Sequence, residues 1–387
     1  MNVVPPSERV AQKRLIPTEL NRNNFDLLRF LLATSVIYSH CFVIYYGQME
    51  DVEPLRALSR NQLDFGGIAV SFFFVISGFL IVRSFEYSRS TFEYFIKRLL
   101  RIVPGFFVAF LISVFLFGLV GTATSAHPWG DWRAYFSGMS KKRIPWQLFT
   151  LEAPKGAKTF ARNPLPDMIN ESLWTIQYEF LCYMLVPLLG FIMLVKRKSA
   201  ALISFLIAYG LFCLITCKVV NVYGYDNPWN WVLPYPSELP RLFSFFFAGS
   251  CVYLYRHRII RSRYLALLAF ASLVVASQWP PVMKLVLPFA GTYLLFYVAY
   301  HPRIPFHHFA KRGDFSYGLY LYGWPIQQLI MYFLAPHLNA HRLFLLAFPS
   351  TLLAAYFSWH LIEAPFLKMK GQLRKQTVVT QKRAMSV

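Results

Sequence analysis

The sequence predicts an all-α integral membrane protein of about ten transmembrane helices, with the N- and C-termini cytoplasmic. Three observations predict it. Of 387 residues, 56% are hydrophobic and only 15% are charged, against roughly 25% charged in soluble domains. The mean hydropathy is +0.41, and the apolar residues fall in runs that approach the roughly 20 residues a bilayer requires. Most of the 39 Lys and Arg residues lie in short segments on one side of those runs, the asymmetry that sets membrane topology. The net charge of +21 therefore reads as basic segments facing anionic membrane lipids, and not as a nucleic-acid surface.

Taken in order, the apolar runs are 25–46, 66–85, 102–121, 173–195, 200–217, 239–255, 264–278, 282–299, 315–335 and 343–362. Residues 1–24 are polar and basic, without a short apolar core and small-residue cleavage site, and read as a cytoplasmic tail before an uncleaved span. The seventh and eighth runs are short and are divided by Pro280-Pro281. Counting them separately keeps the basic tail 367–387 inside, as its charge requires. The membrane domain then covers 25–366. Two outer segments are long: 122–172 carries Trp129, Trp132 and Trp146, and 218–238 carries Trp229 and Trp231. Aromatic faces of this kind suit sugar rings, but composition alone favours an interfacial belt. The cysteines Cys41, Cys182, Cys213, Cys217 and Cys251 show no metal-ligand spacing and read as free thiols; no metal site is predicted.

Ionisable side chains inside such runs are costly and mark function. Arg29 and His40, eleven residues apart in the first run, fall on one helix face, roughly 16 Å apart along the axis. His40 has the chemistry of a general base; the alternative is a packing hydrogen bond to a neighbouring helix. Arg29 keeps its charge, so its roles are anion binding or orienting a carboxylate, with Asp26 one turn back as a partner; snorkelling to the inner interface is the plainer reading. Glu179 lies about two turns into the fourth run and is expected to face the interior, toward Arg29 or His40. Ser77-Gly78, a small pair among bulky residues, permits close approach by another helix or by a thin ligand chain. Arg98 and Arg101, three residues apart at the cytosolic edge of the third run, form either a phosphate clamp or an ordinary basic flank. Glu363, at the cytosolic end of the last run, is expected to pair with loop arginines.

These residues belong to short motifs that follow one another across nearly the whole chain. They are Phe25-Asp26-Leu27-Leu28-Arg29 with His40; Phe73-Phe74-Val75-Ile76-Ser77-Gly78; and Arg98-Leu99-Leu100-Arg101 with Pro104. Then come Ser172-Leu173-Trp174-Thr175 with Glu179; Ser316-Tyr317-Gly318-Leu319-Tyr320-Leu321; and Ile362-Glu363-Ala364-Pro365-Phe366. In this order they resemble the acyltransferase-3 family of bacterial integral-membrane acyltransferases. The chain departs from the family pattern at Tyr322-Gly323-Trp324-Pro325, where a histidine often precedes Trp-Pro, and at Ile176-Gln177-Tyr178, which replaces the usual residues before the glutamate.

The resemblance implies an O-acetyltransferase of the bacterial inner membrane. It would move an acyl group, usually acetyl, from acyl-CoA to a hydroxyl of a carbohydrate or lipid-linked glycan such as O-antigen or exopolysaccharide. Acetyl-CoA is then a co-substrate, and no cofactor is permanently bound. His40, Arg29 and Glu179 become the catalytic group. Arg98 and Arg101 meet the donor's phosphates, Ser77 and Gly78 pass its pantetheine arm, and Trp174 serves the acceptor, while Asp26 and Glu363 support. The rival class is a transporter or flippase of lipid-linked sugars, which shares the span count and the aromatic outer loops.

Overall fold

Helices form where the apolar runs predict them, and local chemistry sets their ends. The computed structural model describes residues 14–47, 52–139, 143–156, 158–192, 197–220 and 233–369. It is 73% helix, with no strands among the described residues. Trp229, Trp231, most of the N-terminal tail and most of the basic C-terminal tail lie outside the described residues.

The long helices are α1 (Phe25–Tyr46), α3 (Phe65–Glu86), α4 (Thr91–Ile112, continued by a π-helical segment Ser113–Gly118), α7 (Trp174–Ile192), α8 (Arg197–Thr216), α9 (Glu238–Leu254), α10 (Arg263–Ala276), α11 (Val282–Ala299), α12 (Ser316–Leu334) and α13 (Ala340–Ser358, continued by the π turn Trp359–Glu363). Three short helices lie between them: α2 (Pro54–Leu58), α5 (Trp132–Gly138) and α6 (Arg143–Thr150).

Seven of the helices are long and apolar enough to cross a membrane. The other three of the ten expected spans are α9, with 17 residues, α10, with 14, and α12, whose 19 residues include Gln327, Gln328 and several tyrosines. The third helix begins at Thr91 and not near 102. Ser90 accepts from the Glu93 N–H at 3.1 Å and Glu93 reaches back to the Arg89 N–H at 2.9 Å, a reciprocal cap that starts the helix early. Arg98 and Arg101 therefore lie within α4 and do not precede it.

The described residues fall into two compact units, each assembled from separated stretches of chain. In the first, α3 packs on α1, α9 and α11, while α8 lies against α9 and α10 against α11. The α3–α9 contact is made backbone to backbone. A Cβ on Gly78 would lie 1.8 Å from the Phe246 carbonyl oxygen, and one on Gly249 would lie 1.9 Å from that of Val75. Below this contact Phe25, Phe79, Tyr253 and Phe296 form an aromatic core, with ring centroids 5.0–5.6 Å apart around Phe79. Gly78 is therefore a helix-packing residue. The donor passage expected there has no room, because the α9 backbone already fills it.

In the second unit α12 packs on α13 and α4. Gly318 faces Ala355, where a Cβ would come within 2.7 Å of the Ala355 Cα. Polar side chains tie the apolar helices to the outer segment: Asn170 donates to Ser113 Oγ at 3.0 Å and to the Leu321 carbonyl at 2.9 Å, and Gln328 donates to the carbonyls of Leu165 and Met168 at 2.9 and 3.0 Å.

Because the α3–α9 contact tolerates no side chain, Gly78→Ala and Gly249→Ala should each cost at least about 1–3 kcal/mol of stability, the usual penalty of overpacking. Gly210→Ala, in α8 with nothing within 4 Å, should be neutral or slightly stabilising. Thermal midpoints of the three variants in detergent check this.

Candidate active site

In the first unit, α1 carries Asp26 and Arg29 in its first two turns and His40 in its last two. Asp26 and Arg29 form an ion pair one turn apart, with 22% of the Arg29 side chain exposed. His40 is half-buried, with Nδ1 shut off from solvent. The residue before it, Ser39, donates to Glu53 Oε2 at 3.0 Å, while Glu53 Oε1 accepts from the Phe65 N–H at 2.6 Å. Asp64 caps α3 by accepting from the Gly67 N–H at 2.5 Å and pairs with Arg56 at 3.2 Å. Glu53 and Asp64 thus join the end of α1 to the start of α3, beside His40. Neither was singled out from sequence, where they read as ordinary charges in a short connection.

Glu179 lies on α7 and accepts from Ser77 Oγ of α3 at 3.4 Å and from the Tyr183 hydroxyl one turn on. Ser77 thereby serves the carboxylate.

Two polar cavities open in this unit. One, of about 470 Å³, is lined by residues that include Arg56, Asp64, Ser71, Glu238, Arg241 and Lys284. It lies where α3, α9 and α11 begin. The other, of about 600 Å³, is lined by residues that include Arg22, Arg83, Tyr87, His307 and His308, where α1 begins and α3 ends. Sequence reasoning counted Arg22 and Arg83 only as topology signals.

In the second unit, Arg101 is held by Asp314 at 2.8 Å, has Glu363 at 3.8 Å, and lies over the Tyr317 ring at 5.5 Å. The side chain of Glu363 is 2% exposed and accepts from Ser358 Oγ at 3.1 Å. The π turn at the end of α13 brings this carboxylate to a helical arginine, and not to the loop arginines expected. The two-guanidinium clamp needs amendment for the same reason. A phosphate at Arg101 would meet two carboxylates already in place; Arg98 is half-buried one turn earlier. Trp174 is half-buried at the start of α7, next to Thr175, which bonds to the Tyr320 hydroxyl. Trp129, Trp132 and Trp146 are exposed. Among the described residues no group of His, Cys, Asp and Glu has the arrangement of a metal site.

The chain matches the acyltransferase domain over residues 22–360. It belongs to the acyltransferase-3 family. Two relatives agree. The O-acetyl transferase of Shigella phage Sf6 is 28% identical over 352 residues, covering 89% of this chain and 96% of that protein. Nodulation protein 10 of Rhizobium leguminosarum bv. viciae is 28% identical over 373 residues, covering 91% and 95%. No solved structure matches. Membership makes the protein an acyltransferase, and the rival class of transporter is set aside.

Two outcomes follow from these contacts. Arg101→Ala leaves a buried glutamate facing Asp314 uncompensated, and should destabilise toward the lower end of the about 3–5 kcal/mol seen for buried pairs; Glu363→Gln, which removes the stranded charge, should recover part of the loss in the double variant. Chemical denaturation in detergent measures both. Burial raises the Glu53 carboxyl above its ordinary range, against the pull of the Phe65 N–H; the Asp64 charge raises it further, while Ser39 and Arg56 act downward. A raised folded-state value means that Glu53 supports folding at acid pH and that this support is lost as pH rises through that value. Wild type should therefore lose stability relative to Glu53→Gln on going from about pH 4 upward, as a melting series across pH would show.

Proposed function

We propose that this protein transfers an acetyl group from acetyl-CoA to a hydroxyl of a cell-surface or exported carbohydrate, in a bacterial inner membrane with both termini in the cytosol. The observation that carries the reading is His40, an imidazole on a membrane-spanning helix whose neighbour Ser39 is tied to the Glu53 carboxylate, in a member of an acyltransferase family. The named activity of the phage relative supports acetyl as the group moved.

The sugar hydroxyl oxygen attacks the thioester carbonyl. A C–O bond forms and the C–S bond breaks. The hydroxyl proton passes to His40 and then to the departing thiolate, so that ester and free CoA are the products. With Nδ1 enclosed, Nε2 is the nitrogen assigned to the proton. The donor arrives from the cytosol, and its phosphates are assigned to the cavity of the first unit that holds Arg22, Arg83, His307 and His308; in the second unit Arg98 has the same chemistry. Guanidinium groups suit phosphate because their paired N–H donors match its oxygens. Arg29 and Asp26 stand at the same end of the first unit as that cavity. Trp174 is proposed to support the acceptor, and Glu179, held by Ser77 and Tyr183, to keep a negative charge within the bundle.

The test is transfer of radiolabelled acetyl from acetyl-CoA to surface glycan in membranes bearing wild type, His40→Ala or His40→Gln. Both variants should reach normal membrane levels and lose at least about 100-fold in rate, the range for a missing general base. Persistent transfer by either would overturn the assignment. Acid-quenched protein should also be examined for label retained on His40, which separates direct attack from a transient acyl-imidazole.

A further inference from the structure

We propose that the cavity where α3, α9 and α11 begin is the acceptor site, and that Lys284 makes it prefer acceptors that carry an anionic group. The proposal rests on the carbohydrate-acceptor reading above and names the substrate class within it.

The cavity encloses about 470 Å³, within the range of small-molecule sites. Asp64, which lines it, precedes Phe65, whose N–H donates to Glu53, the carboxylate that accepts from Ser39 next to His40. A hydroxyl group presented from this space is on the His40 side of the first unit, at the end opposite the basic cavity suited to the donor.

The charges within it do not balance. Four cations, Arg56, Lys218, Arg241 and Lys284, face two carboxylates, Asp64 and Glu238. Both carboxylates are already engaged. Asp64 holds Arg56 at 3.2 Å and caps α3. Glu238 holds Arg241 Nε at 2.5 Å, while Arg241 Nη1 donates to Ser71 Oγ at 2.6 Å. Two lysines remain: Lys218, which is exposed and screened by solvent, and Lys284. The Lys284 side chain is half-buried, and among the described residues no carboxylate lies within ion-pair distance of its amine.

Its position adds to the imbalance. Lys284 sits in the first turn of α11, where the unsatisfied N–H groups and the helix dipole favour an anion and disfavour a cation. Two guanidinium groups share the same cavity. A lysine in a membrane-spanning helix under these conditions is expensive, and a bound carboxylate or phosphate removes the expense by supplying the missing negative charge. The alternative is a lysine that merely reaches the outer interface; it predicts no dependence on the charge of the acceptor.

The chemistry recognised is an anionic oxygen group, from either of two sources: the carboxylate of an acidic sugar, or the phosphate of a lipid-linked glycan. Full-length protein in lipid nanodiscs should be assayed for acetyl transfer to a neutral oligosaccharide, a uronate-containing oligosaccharide and a polyprenyl-phosphate-linked sugar. In wild type kcat/KM should favour at least one anionic acceptor over the neutral one. Lys284→Met should reduce that ratio at least tenfold, mainly through KM, and Lys284→Arg should restore most of it. Protection of the thermal midpoint by the uronate oligosaccharide in the absence of acetyl-CoA should fall in parallel, a binding readout that does not depend on turnover.

A reduction confined to the uronate acceptor identifies the carboxylate source; one confined to the lipid-linked acceptor identifies the phosphate. Equal effects on neutral and anionic acceptors, or no effect on either, overturn the proposal while leaving acetyl transfer to carbohydrate intact. Wild-type protein that acetylates none of the three overturns the underlying reading itself.

Discussion

A polar group placed in an apolar helix must find its partner within the protein, because hydrocarbon offers none. Much of this architecture follows from that constraint. Arg101 of α4 meets Asp314 before α12 and Glu363 after α13, so one guanidinium ties three distant stretches of the second unit. Glu179 of α7 takes the hydroxyls of Ser77 and Tyr183. Asn170 and Gln328 bind backbone carbonyls of elements far away in sequence. The residues that cost most to bury are therefore the ones that fix which helices are neighbours. Apolar packing between lipid-like surfaces is nondirectional and does not choose partners in this way.

That constraint also explains what could be read from the sequence. The helices were legible because each apolar run has its own length and breaks, and both α1 and α11 match the predicted runs residue for residue. The start of α4 was not legible from hydropathy, because its first two turns are polar and depend on a reciprocal cap between Ser90 and Glu93. Ser77-Gly78 was open to two readings. Only the position of the α9 backbone against Gly78 decides for helix packing, and no local sequence encodes that. His40, Arg29 and Glu179 stood out because each interrupts a run. Glu53, Asp64, Arg241 and Lys284 did not, because they lie at run ends, where charge is ordinary. Their importance is a property of the cavity, and a cavity is made by elements that the sequence separates widely.

The chemistry proposed for His40 depends on this distinction between charges that tie and charges that act. Asp64 accepts a backbone N–H and holds Arg56, so its carboxylate is fixed before any substrate arrives. Ser39 and Glu53 brace the same turn of α1 against the start of α3. Pre-organisation of this kind suits a general base in a membrane protein, where bulk water is not at hand to reorient around the new charge.

The same logic bears on Lys284. A fold that satisfies its polar groups internally has no stability reason to keep Lys284 beside Arg56 and Arg241 at a helix N-terminus. Apolar side chains of similar length would fill the space without like-charge repulsion. Each carboxylate nearby is already committed to a structural partner, so rearranging one to serve Lys284 would strip an arginine or uncap α3. Among the described residues no uncommitted carboxylate of this cavity restores the balance, so the proposal assigns that part to a bound anion. A partner that arrives with each turnover and leaves with the product meets that requirement, and for an acyltransferase the acceptor is such a partner.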